Sequence, residues 1–296
     1  MSNIKVSVCV LSYNHEQYLR DCLEGIVMQK TTFPIEAWVH DDASTDSSQE
    51  IIKEYQQRYP DIIKPILQTE NQYSKKQGSI LQNFLYPHCA GEYIALCEGD
   101  DYWIDPYKLQ KQVDFLDAHR DYVACVHNAI VTSGDSSSLF ALVSPQSTDW
   151  QLEQILSRWS IPTASLIFRS KNHSRFEKMY PNGDYALEIW LLAKGKIRYS
   201  PLPMSVYRRH ADSMSVSMNN CPLKMYDDII ALFADAKLWY SVDVGFLFDN
   251  AIAKYTQMKE IAKKEMFFEN HPLLKALRPK TYKRIIKNWL QKIVNK

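Results

Sequence analysis

Stretches of β-branched and aliphatic residues alternate with stretches of helical spacing through the first third of the chain, and this alternation restricts the fold more than any other feature. Lys5-Val6-Ser7-Val8-Cys9-Val10-Leu11 reads as a buried strand. Asn14 can cap a helix whose Tyr18, Leu19, Cys22, Leu23 and Ile26 follow at helical spacing. Ile35 to His40 is a second strand. Ser47, with Glu50 three residues on, has the form of a capping box opening a helix with Ile51, Ile52 and Tyr55 that ends before Pro60. Ile62 to Leu67 is a third strand, Gln77 to Tyr86 a helix and Tyr93 to Cys97 a fourth strand. Asp105-Pro106 then starts another helix, with Asp as N-cap and Pro at the first helical position. Such alternation predicts an α/β fold with a mostly parallel central sheet and helices on both faces.

Further along, Tyr122 to Val131 reads as a strand and the Ser/Gly-rich Ser133–Pro145 as a mobile loop. A short helix at Leu152–Arg158, a strand at Ser165–Phe168, a helix at Asp184–Ala193 and strands at Lys196–Tyr199 and Met204–Arg208 follow. From Leu223 onward the pattern is helical. The expected organisation is a sheet domain over residues 1–215 and a helical C-terminal region over 216–296.

Lys+Arg 35 against Asp+Glu 34 leaves no global field that favours nucleic acid. The six cysteines form no C-x-x-C pair and no zinc-ligand spacing, and each reads as a small buried apolar residue. The N-terminus lacks a signal-peptide pattern, and no run approaches the roughly 18 apolar residues of a spanning helix. The expectation is a cytoplasmic protein with reduced thiols.

Chemistry concentrates in a few places. In Cys97-Glu98-Gly99-Asp100-Asp101-Tyr102-Trp103, three acidic side chains within four residues follow a buried strand, so they fall at the carboxyl edge of the sheet, where open α/β sheets bind ligands. Crowded carboxylates repel unless a cation joins them, and hard oxygen ligands suit Mg²⁺ or Mn²⁺. His40-Asp41-Asp42-Ala43-Ser44-Thr45-Asp46 ends the second strand and reaches the same edge. There a carboxylate can accept from a base N–H or a ribose hydroxyl, or simply cap a helix. Ser12-Tyr13-Asn14 ends the first strand, with Tyr13 able to stack on a base and Ser12 able to bond it. Asp184 opens a helix, where the macrodipole favours the ionised form a general base needs, although an ordinary N-cap has the same look. Val206-Tyr207-Arg208-Arg209-His210 pairs cations suited to phosphate with an imidazole suited to metal; a solvated charge run at a strand end is the plain alternative.

Together these motifs, in this order, resemble the inverting family-2 glycosyltransferases of GT-A fold, from Val6–Asn14 through His40–Asp46, Gly91–Asp101, Ile161–Ser165 and Gly183-Asp184 to Tyr207–His210. The resemblance covers roughly residues 4–212. It implies nucleotide binding by Ser12, Tyr13, Asp42, Asp100 and Arg208, a divalent metal (Mn²⁺ or Mg²⁺) on Asp101 and His210, and Asp184 as catalytic base. The implied partners are a nucleotide-sugar donor, by analogy a UDP-sugar, and a glycan or lipid-linked acceptor, as in bacterial polysaccharide synthesis. The chain departs from the pattern at Glu98, where the family usually has Asp, at Ala43, where it has Gly, and at Gly183, where an acidic residue often precedes the base.

Residues 273–296 carry eight Lys or Arg and no acidic residue, with Ile285, Ile286, Trp289, Leu290 and Ile293 at roughly helical spacing. A basic amphipathic helix of this kind can lie on an anionic membrane, giving a peripheral contact at its inner face, or dock on the catalytic domain or a second subunit of a homo-oligomer. Two other functions fit less of the sequence. A nucleotidyltransferase would carry a Gly-rich basic loop where this chain has Ser12-Tyr13-Asn14-His15-Glu16. A binding module without turnover would not need Asp42, Asp101 and Asp184 together.

Overall fold

The computed structural model describes residues 4–140, 148–158, 161–173, 176, 179–210 and 222–270. The basic segment 273–296 lies outside them, as do residues 141–147, which include the end of the expected loop. Among the described residues one sheet has ten strands: β1 (Val6–Ser12), β2 (Ile35–Asp41), β3 (Ile63–Leu67), β4 (Tyr93–Glu98), β5 (Tyr102–Trp103), β6 (Tyr122–Ser133), β7 (Ser136–Leu139), β8 (Thr148–Asp149), β9 (Ile167–Arg169) and β10 (Lys196–Arg208). Its main path runs β3-β2-β1-β4-β9-β6-β10-β5. The first four strands of that path are parallel, and β9 is antiparallel to both its neighbours. The α/β expectation is met.

The helices are α1 (Leu19–Val27), α2 (Ser48–Arg58), α3 (Lys108–Ala118), α4 (Leu152–Ser157), α5 (Gly183–Leu192), α6 (Pro222–Ala236) and α7 (Gly245–Asn270). Period-2 alternation sends strand side chains to opposite faces. On one face Val6, Val8 and Val10 of β1 and Tyr93, Ala95 and Cys97 of β4 pack with Leu19, Leu23 and Ile26 of α1, Ile52 of α2 and Val113 of α3. On the other, Cys9, Ile94 and Leu96 pack with Leu187 and Ile189 of α5, Phe233 of α6 and Phe248 of α7. No helix among the described residues is long and apolar enough to cross a membrane. The five described cysteines are free thiols, four of them buried.

Several local expectations need correction. Asn14 does not cap α1: it stands in left-handed backbone at φ 55°, and its Oδ1 accepts from Thr45 N–H at 2.8 Å. Ser47 makes no cap bond, and Asp46 Oδ1 accepts from Ser48 N–H at 3.0 Å instead. The helix expected over Gln77–Tyr86 begins only at Leu81, as a π turn followed by a 3₁₀ turn, because Gly78 at φ 104° keeps the preceding residues out of helical geometry. Helix α3 starts at Lys108, and Asp105 Oδ1 accepts from Tyr107 N–H at 2.8 Å. Ser133–Leu139 is a hairpin rather than a loop, turned by Gly134 at φ 56°. The two strands expected at 196–199 and 204–208 are one, whose register slips where Pro201 and Pro203 supply no N–H.

Candidate active site

The carboxyl ends of three parallel strands are level. Ser12 of β1 pairs with Asp41 of β2, and Leu11 pairs with Glu98 of β4. The residues that follow are tied to the same edge, Asp42 N–H donating to Ser12 O at 2.9 Å and Gly99 N–H to Leu11 O at 2.8 Å. The chain then doubles back from Asp101, so that Val206 of β10 faces Tyr102 of β5 in antiparallel register. That pairing brings Arg208 and His210 onto residues more than a hundred positions earlier. Arg208 N–H donates to Asp101 Oδ1 at 2.9 Å, its Nη1 to Asp100 O at 3.0 Å, and His210 Nε2 lies 3.1 Å from Asp100 Oδ2. His210, expected with Asp101 as a metal ligand, lies against the neighbouring Asp100 carboxylate.

The carboxylates are crowded. Asp101 is fully buried, and its Oδ2 has no hydrogen-bond partner. Burial pushes its pKa well above the ordinary 3.8, Asp100 and Glu98 push it further up, and the Arg208 N–H opposes them. Burial likewise pushes Glu98 up, followed by the charges of Asp100 and Asp184. Asp184 thus reaches the cluster electrostatically from the first turn of α5, where Thr163 Oγ1 donates to its Oδ2 at 3.4 Å. The 3₁₀ turn Thr163–Ser165 is itself held beside β4, since Leu96 N–H donates to Leu166 O at 3.1 Å.

At the end of β1, the Ser12 hydroxyl is buried and unpartnered, and Tyr13 is 47% exposed. Asp42, expected to meet the base, is also tied to the backbone of a later segment. Its two oxygens accept from Gln72 N–H at 2.7 Å and Tyr73 N–H at 3.0 Å, so it holds the segment after β3 over the sheet edge. Asp41 accepts from Ser44 N–H at 2.9 Å and Gln49 Nε2 at 2.8 Å, which fixes the tight turn between them. Ala43 in that turn sits at φ 63°, the left-handed region that favours glycine. Ala43→Gly is expected to stabilise the fold by about 0.5 kcal/mol, relief of strain outweighing added chain freedom. A thermal melt checks this, and a lower Tm would show the position to be unstrained.

A closed set of three or more His, Cys, Asp or Glu ligands does not occur among the described residues. What exists is an open arrangement: one buried orphan oxygen, two further carboxylates and an imidazole. Mg²⁺ and Mn²⁺ suit such a set, because they take one or two carboxylates and fill their other positions with water and phosphate oxygens.

A sequence model described as Glycosyl transferase family 2 matches residues 7–176, more than half of the chain. The chain belongs to this family. An uncharacterized protein of Mycobacterium tuberculosis is 38% identical over 211 residues, which are 70% of this chain and 59% of the relative's length. The Escherichia coli UDP-Glc:alpha-D-GlcNAc-diphosphoundecaprenol beta-1,3-glucosyltransferase WfaP is 25% identical over 241 residues, 77% of this chain and 91% of its own. Among solved structures, S. aureus TarS 1-349 in complex with UDP-GlcNAc superposes with a TM-score of 0.66 at 20% identity, covering 86% of this chain and 72% of that one. That likeness bears on the fold, which is the GT-A architecture implied by the motifs.

Some residues around this sheet edge carry no motif of their own. His15 follows Ser12-Tyr13-Asn14, and its ring packs so closely on Gly99 that a Cβ there would lie 2.7 Å from Nδ1. Burial holds the His15 pKa below its ordinary range, more than the neighbouring Asp100 carboxylate offsets. Tyr18, Asp21 and Tyr102 surround Arg208. The glycine of Glu98-Gly99-Asp100 is the sequence signal for that close approach, and it names no partner.

Proposed function

We propose that this chain is an inverting glycosyltransferase that moves a sugar from a nucleotide-sugar to a hydroxyl of a glycan or lipid-linked acceptor. The observation that carries this is Asp101: a buried carboxylate with one unpartnered oxygen, crowded by Asp100 and Glu98 at the edge where β1 ends in Ser12 and Tyr13 follows. Family membership supports sugar transfer. The name of the E. coli relative supports a UDP-sugar donor and a lipid-linked acceptor.

In this reading Ser12 and Tyr13 receive the base, Asp42 orders the segment above it, and Asp100 meets the ribose or the sugar. Arg208 pairs with the diphosphate. Asp101 and His210 would hold a divalent cation, Mn²⁺ or Mg²⁺, whose charge offsets that of the departing diphosphate. Asp184 takes the proton from the acceptor hydroxyl as its oxygen attacks the anomeric carbon from the face opposite the diphosphate. Bond making and bond breaking belong to one displacement with an oxocarbenium-like transition state, so configuration inverts. The sheet portion over residues 1–215 supplies this machinery, and the helical remainder serves acceptor, membrane or subunit contacts.

The direct test is a thermal-shift panel of UDP-, GDP- and dTDP-sugars with Mn²⁺, since a ligand that binds only the native state raises Tm. A donor that shifts Tm only with the metal present is the expected result; no shift with any donor would defeat the proposal. Asp101→Asn is expected to abolish the metal-dependent part of nucleotide binding in calorimetry. The same variant should stabilise the metal-free protein by about 1–3 kcal/mol near neutral pH, because an amide removes a buried charge yet still accepts from Arg208 N–H. The sign follows from linkage. A carboxyl whose native pKa is raised loses stability as pH climbs above 3.8 through the native value, and Asn lacks that loss.

A further inference from the structure

The first turn of α1 faces the end of β10 with two side chains that neither the family motifs nor the mechanism above uses. Tyr18 packs against the His210 ring in a tilted arrangement, with centroids 4.6 Å apart and planes inclined by 31°. The Arg208 guanidinium also lies over the same tyrosine, 5.4 Å from its ring centre, and over Tyr102 at 4.2 Å. Three residues after Tyr18, Asp21 forms an ion pair with Arg208 Nη2. Residues three apart share one helix face, so Tyr18 and Asp21 act from a single turn. That turn cannot drift, because α1 is pressed against β5: a Cβ at Gly25 would lie 2.8 Å from both Trp103 N and Trp103 O.

The consequence for Arg208 is a fixed pose. Its backbone N–H is held by Asp101, Nη1 by the Asp100 carbonyl and Nη2 by Asp21, and two tyrosine rings lie against the guanidinium. A long arginine loses much rotational freedom when it binds phosphate, and a planar fork that is already oriented loses less. The Arg208 side chain is 16% exposed, whereas that of Asp21 is 59% exposed. The carboxylate is therefore an outer strut, and its removal need not disturb the core.

We propose that Tyr18 and Asp21 are positioning residues that hold Arg208 and His210 ready for the diphosphate of the donor. This rests on the donor reading given above. Asp21 makes its contribution through Arg208, and Tyr18 through both Arg208 and His210.

Calorimetric titration of the full chain with UDP, GDP and dTDP, each beside its nucleoside, tests this. The wild-type chain binds one of the diphosphates in the presence of Mn²⁺. Asp21→Asn and Tyr18→Leu are each expected to weaken diphosphate binding about 3–10-fold, with nucleoside binding unchanged, because only the phosphates meet Arg208. In an Arg208→Gln background the Asp21→Asn effect is expected to vanish, as coupling through one partner requires. Equal loss of nucleoside and diphosphate would show a merely structural role and overturn the inference. So would unchanged binding, or tighter binding, which would mark Asp21 as a competitor for the arginine. A wild-type chain that binds none of the three diphosphates overturns the donor reading itself, a result separable from the others because it precedes any substitution.

Discussion

Asp184→Asn is expected to lower turnover by about 10²–10⁴-fold, the usual contribution of a positioned general base. Asparagine keeps the shape of the side chain and can still accept from Thr163 Oγ1, 3.4 Å away in the wild type, so the first turn of α5 should stand. What it cannot do is take the acceptor proton. Release of nucleoside diphosphate from the donor identified in the thermal-shift panel gives the rate, and calorimetry with the nucleotide gives the binding. A large fall in rate with nucleotide binding intact is the expected pair of results. Wild-type turnover in the variant would mean that another group takes the proton. The absent acidic neighbour sharpens this test, since Gly183 leaves Asp184 as the acid of that motif.

Lys108 gives the second large effect, on stability rather than catalysis. Its side chain is fully buried beneath the sheet, with Nζ 4.1 Å from the centre of the Trp103 ring and 2.9 Å from Gln112 Oε1. Burial pulls its pKa from 10.5 down to about 7. The unfolded chain keeps this proton up to 10.5, whereas the folded chain releases it near 7, so unfolding takes up a proton between those values. Stability therefore rises with pH across that window, by about 3 kcal/mol between roughly pH 7 and 9.5 for this group alone. Lys108→Met should flatten the rise while filling the same space. Urea unfolding at several pH values reads both slopes, and parallel slopes for wild type and variant would show that Lys108 keeps an ordinary pKa. An aromatic face and an amide oxygen are weaker partners for an ammonium than a carboxylate would be, which is why the effect should be large.

Strand and helix alternation carried the first half of the architecture. Val6–Ser12, Ile35–Asp41 and Tyr93–Glu98 are strands because their β-branched and apolar runs suit both buried faces of a parallel sheet. Local chemistry was less reliable. Asn14 and Ser47 look like caps, yet both serve the zipped pair of loops after β1 and β2, where Asn14 N–H donates to Ser44 Oγ at 2.8 Å and Ser47 N–H to Glu16 Oε2 at 2.8 Å. A polar side chain near a helix start bonds whichever N–H the tertiary structure supplies, and sequence spacing does not reveal that choice.

The same division runs through the site. Composition and order alone placed Ser12, Asp42 and the Glu98–Asp101 acids at one sheet edge, because each follows a parallel strand directly and such strands end level. Which oxygen is left for a ligand was decided only by packing. Asp42 spends its carboxylate on the backbone of Gln72 and Tyr73, while Asp101 keeps Oδ2 unpartnered beside the single bond from Arg208. The encirclement of Arg208 by Tyr18, Asp21 and Tyr102 was likewise invisible, since it joins α1, β5 and β10 across nearly two hundred residues. Periodicity reports which face of an element is buried. It carries no information on which distant element arrives to bury it, and that is settled by how the helices and the returning strand close over the sheet.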